Sequence, residues 1–117
     1  MPELIQKPVH IAAGQGRTVD EYIGRSSTGH DIVSVARMGA PAGWVGNYHR
    51  PELDAITVVL TGTMLVDHDG GQARVRAGQA LITRAGERVR YVSGDDGVDC
   101  MVVCLPAFSP EASPPVE

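Results

Sequence analysis

Thr57-Val58-Val59-Leu60-Thr61-Gly62-Thr63-Met64-Leu65-Val66-Asp67-His68-Asp69-Gly70-Gly71 is the stretch that decides the fold. An apolar, β-branched run starting at Ala55 pauses at Thr61-Gly62, resumes over residues 63–66 and ends in a hairpin signal. Asp-Gly and Gly-Gly supply the positive φ that tight hairpin turns require. Working outward, residues 73–76 are expected to pair back, and Ala77-Gly78 turns again. Strands are then expected over residues 80–83, 88–93 and 98–105, separated by Ala85-Gly86-Glu87 and Gly94-Asp95-Asp96-Gly97. Upstream, residues 32–38 read as a strand closed by Gly39-Ala40-Pro41-Ala42-Gly43, and residues 9–12 and 22–23 as shorter ones. Short strands with regular turns mark a sandwich or barrel, and no stretch has the period and length of a helix. The expectation is an all-β single domain. Residues 1–30 form a turn-rich arm, 31–105 the barrel, and 106–117, with four prolines, an extended tail that cannot join a ladder.

Composition agrees. The chain of 117 residues is 43% hydrophobic but only 4% aromatic, so the core must be aliphatic. Valine is abundant and lysine occurs once, at Lys7, which favours pleated strands over exposed helices. A net charge of −4 repels phosphate backbones, so no nucleic-acid partner is expected without a local basic patch. Cys100 and Cys104 on one strand face would lie about 13 Å apart, too far for a disulfide. Reduced, buried thiols and the lack of a signal peptide or membrane-length apolar run imply a soluble, cytoplasmic protein without a membrane partner.

Residues 43–105 resemble the cupins, small jelly-roll β-barrels. In the family's first motif, Gly43, five residues and His49 fit, as do Ala55, six residues and Gly62. In the second, Gly78, five residues and Arg84-Ala85-Gly86 fit, with Arg84 where proline is usual. The resemblance implies a cupin barrel and, often, a homodimer. It also implies a metal held by two His and a Glu of the first motif and a His of the second. Only His49 fills its position; Pro51, Ala55 and Val89 stand at the other three. Divalent ions normally take three or more N, O or S donors, so no cofactor is expected. If a divalent metal were present, His49 and Asp54 would hold it, with a one-residue bulge turning Asp54 inward.

Strand alternation predicts the interior. If Ala55 and Val89 face inward as in the family, so do Thr57, Val59 and Tyr91, while Arg88 and Arg90 face out. Such a lumen is small and aliphatic and suits a small apolar metabolite. Trp44 and Tyr48 lie just before His49, near the expected mouth, to cover one face of a ligand. With Thr57, Val59, Val89, Met38 and Met101 they form the expected substrate-binding set. His49 is placed as general acid/base, with Tyr91, Glu52 or Asp54 completing a proton path. The expected function is a metal-independent isomerisation, elimination or cyclisation of an apolar, polyketide-like secondary metabolite. The alternatives are a non-catalytic metabolite-binding module and a metal-dependent cupin enzyme with a rearranged ligand set.

Overall fold

A computed structural model describes residues 1–112, 114 and 116. Among the described residues seven strands form one antiparallel sheet: β1 (Val9–Ile11), β2 (Thr18–Ile23), β3 (Ser34–Ala40), β4 (Asp54–His68), β5 (Gly71–Arg76), β6 (Ala80–Thr83) and β7 (Val89–Leu105). The order is β1-β2-β3-β7-β4-β5, with β6 also on β4. A 3-10 turn, Pro110–Ala112, follows. Among the described residues no helix is long and apolar enough to cross a membrane. The all-β jelly-roll expectation holds.

Two long, bent strands organise everything. The first half of β4 pairs with β6, and the second half with β5. The second half of β7 lies between β4 and β3. Its first half has β4 on one side and the segment through Val45 and His49 on the other. Each long strand thus takes different neighbours in its two halves, and the sheet folds over its own core.

Thr61-Gly62 and residues 94–97, expected as breaks, are instead the bends inside β4 and β7. The β4–β7 register slips between Val59 and Thr61 and again between Gly62 and Met64. Gly62 has φ +77°, and a Cβ there would sit 2.1 Å from the Gly97 carbonyl oxygen. A glycine at such a contact lets the strand bend without ending.

The inward residues of both strands make the core. Val59, Val66, Val89 and Cys100 are fully buried, and Met64, Val75 and Val98 pack with them. A smaller cluster, Leu53, Ala55 and Cys104, fills the other end. The N-terminal strands join the sheet, β2 on β3 and β1 on β2. After β7, the backbone N–H of the buried Ala107 donates to Asp31 O, and that of Phe108 to Ser34 Oγ. Val116 N donates to Tyr48 O and Arg50 N to Pro114 O, so these parts of the tail lie along residues 48–50. The remainder of the expected tail, residues 113, 115 and 117, falls outside the described residues.

Candidate functional site

The first and second cupin-like motifs meet at one end of the barrel. His49 and Val89 exchange both backbone hydrogen bonds at 2.9 Å, so the two motif positions stand side by side. Ala55 pairs with Thr83, whose Oγ1 lies 3.1 Å from Tyr91 Oη. The Tyr91 ring in turn stacks on His49, with centroids 5.6 Å apart. His49, Tyr91 and Thr83 therefore form one polar row at this end of a mainly aliphatic interior. The Nδ1–H of His49 donates to Asn47 O (3.1 Å), which leaves Nε2 as the acceptor of the neutral ring. Burial pushes the Tyr91 hydroxyl above the usual tyrosine range, and its bond to Thr83 only partly offsets this. The free thiols Cys100 and Cys104 are raised by burial too, Cys100 to about 11.

The donors at this end do not match a divalent ion. Glu52 is exposed on the loop before β4. Asp54 is engaged elsewhere, its Oδ1 accepting from Ala85 N at 2.8 Å. Pro51 and Ala55 are buried, and among the described residues no three His, Cys, Asp or Glu side chains converge.

Of the other expected binding residues, Val89 pairs with His49 through its backbone, and the rest are spread over the fold. Thr57, Val59 and Val89 are 2%, 0% and 1% exposed, so their surfaces are spent on the core. Met38 packs against that core. Met101 alternates with the buried Cys100 and faces the opposite side of the sheet, between Arg37 and Val58. Trp44 sits at the far end of its segment, beside Ser93, with Nε1 donating to Gln15 Oε1 (2.9 Å) and Arg17 over its ring. Tyr48, one residue from His49, turns outward, with the guanidinium carbons of Arg88 and Arg90 at 3.7 and 4.7 Å from its ring centroid.

That outer face carries the charge. Asp67 and Arg90 are register partners on β4 and β7, and Arg90 Nη2 donates to Asp67 Oδ2 at 2.7 Å. Hydrogen bonds from Gln72 and then Arg90 hold the Asp67 carboxyl below the usual range. Beyond this pair, the β4–β5 hairpin and the β6–β7 loop enclose an open groove of about 380 Å³ lined by Arg50, His68, Asp69, Glu87 and Arg88. Arg50 is exposed and anchors one N–H on Gly86 O at 2.8 Å. His68 Nδ1 accepts from Gly70 N (3.1 Å), so the neutral ring presents Nε2–H. In the sequence His68 falls within the hairpin signal and Arg88 and Arg90 are expected to face out, with nothing to join them into a groove. Only pairing places His68 opposite Val89.

No family model matches the chain. The endoribonuclease YbeY of Myxococcus xanthus is 38% identical over 108 residues, which is 92% of this chain and 37% of that relative. The chain thus spans little more than a third of the curated relative it matches. This likeness overturns the expected isomerisation, elimination or cyclisation of an apolar metabolite, together with its alternatives, because the relative's name points to RNA processing. The solved structures agree on architecture at low identity. A variant of the Streptomyces nucleoside dehydratase Pac13, with uridine, matches with a TM-score of 0.77 and 12% identity, covering 100% of this chain and 90% of that one. KdgF from Halomonas sp. matches at 0.74 and 16%, covering 88% and 90%. A variant of Bacillus subtilis oxalate decarboxylase matches at 0.81 and 13%, covering 96% and 31%. What these three share with the present chain is architecture alone, and that architecture is the cupin fold.

Proposed function

We propose that this chain works in RNA processing, as a cupin-fold module that has given up the family's metal ligands and contacts RNA. The observation that carries this reading is the 38% identity across 92% of the chain with part of a protein named as an endoribonuclease. Because the chain spans 37% of that relative, RNA contact rather than the relative's whole activity is what we assign to it.

The outer face supports the assignment chemically. Arg50, Arg88 and Arg90 lie around Tyr48 and the groove. Guanidinium forks pair with phosphates, and aromatic rings and guanidinium planes stack on unpaired bases. The net charge of −4 opposes general attraction to polyanions, and Asp67, Asp69 and Glu87 offset these arginines, so binding must rest on direct guanidinium–phosphate contacts and on stacking. Buried, free cysteines suit a reducing compartment, and we place the protein in the cytoplasm.

Fluorescence anisotropy with a labelled single-stranded RNA tests the reading. Saturable binding is expected, weakening with salt at a log–log slope of about −2 if about three phosphates are neutralised. Absence of binding at low salt and high protein concentration would reject it.

A further inference from the structure

We infer that the groove between the β4–β5 hairpin and the β6–β7 loop takes one guanosine nucleotide unit of an RNA strand, with phosphate on the arginines and base on a carboxylate. The inference rests on the RNA-processing reading and assigns a site and a base to it. At about 380 Å³ the groove lies at the small end of ligand sites.

Its charges come in two kinds. Among the described residues that line it, Arg50 and Arg88 are cationic and Asp69 and Glu87 anionic, and with His68 neutral these four formal charges cancel. A bare phosphate therefore gains little from the groove as a whole. A ligand with an anionic end and an N–H donor end matches both halves. Nucleotides have that form, with phosphate at one end and a hydrogen-bonding base edge at the other.

The arginine half is held in place. One N–H of Arg50 is tied to Gly86 O at 2.8 Å, which limits the directions its fork can take. The Arg88 guanidinium rests over Tyr48 at 3.7 Å and reaches within 4.0 Å of Asp69. His68 adds Nε2–H as a neutral donor, since its Nδ1 is occupied by Gly70 N. On the acidic half, Glu87 Oε2 accepts from Arg84 N at 3.4 Å, which positions the carboxylate at the turn.

A carboxylate selects the base. Guanine presents an imino N–H beside an exocyclic amine, two parallel donors that one carboxylate accepts together. Uracil presents a single N–H flanked by carbonyl oxygens, which a carboxylate repels. Asp69 faces the Arg88 guanidinium, so Glu87 is the carboxylate that favours guanosine over uridine.

Amide chemical-shift titrations of the intact chain with guanosine 5′-monophosphate, uridine 5′-monophosphate and inorganic phosphate test the inference. Guanosine monophosphate should shift residues 68–70 and 86–88 and bind at least about fivefold more tightly than the uridine compound. Arg50→Ala should weaken both nucleotides at least about tenfold, and Glu87→Gln should erase the preference. Both side chains are exposed, and an otherwise unchanged amide spectrum verifies that each variant is folded. Inorganic phosphate binding as tightly as the nucleotides, a preference surviving Glu87→Gln, or shifts confined to other residues would each overturn the site. RNA retention unchanged by both substitutions would overturn the groove while leaving RNA contact standing. Loss of RNA binding in the parent with nucleotide binding intact would remove the RNA-processing reading but support the groove.

Discussion

Tyr91 on β7 and Tyr48 on the segment that runs beside it lie at the same end of the barrel, yet they belong to different chemistries. Tyr91 points inward, bonded to Thr83 and stacked on His49. Tyr48 points outward among arginines, on the face that continues into the groove. The period of two separates them: His49 is across from Val89 on the inner side, and its neighbour Tyr48 is turned to the outer side. Chemistry on the inner face is limited by packing, whereas the outer face can rearrange its charges at little cost in stability.

The largest expected effect comes from charging the inner face. Val89→Asp would place a carboxylate at a site 1% exposed within an aliphatic cluster, so denaturant melts should show a loss of several kcal/mol or no folded protein. A native-like melt would mean that this end is open to water, contrary to the comparison. The middle-sized effect separates the tyrosines. Tyr91→Phe should cost about 1 kcal/mol by breaking the bond to Thr83, while Tyr48→Phe, which keeps the ring under Arg88 and Arg90, should be neutral by the same measurement. Equal losses would erase the distinction.

The smallest effect belongs to Asp67→Asn. Its carboxyl is held below its ordinary range in the folded state, so its contribution is present above the unfolded value and is lost as pH falls through the folded one. The variant should melt close to the parent at pH 7, and the difference should shrink as pH falls through and below the ordinary carboxylate range or as salt rises. A large loss at neutral pH would make the outer row structural.

Much of the barrel could be read from residues alone. Alternation along residues 55–59 and 98–104 places Ala55, Thr57, Val59, Cys100 and Cys104 on the core side, where they are. The hairpin at Asp69-Gly70-Gly71 was equally legible, because its turn chemistry is local. The cluster of Trp44, Tyr48 and His49 was not. Nearness in sequence suggested one mouth, but an extended segment sends Tyr48 and His49 to opposite faces and leaves Trp44 at its far end beside Ser93.

By itself the sequence determined the all-β class, the aliphatic core and the absence of donors at Pro51, Ala55 and Val89, since these follow from composition and single positions. Only the tertiary structure decided that Thr61-Gly62 and residues 94–97 bend strands instead of ending them. It alone decided that Arg50, His68, Asp69, Glu87 and Arg88 share a groove. Both depend on contacts between residues far apart in the chain: the crossing of Gly62 with Gly97, and the register that sets His68 against Val89. Local preference can mark a turn or a charge, but it carries no information about which distant strand will lie alongside.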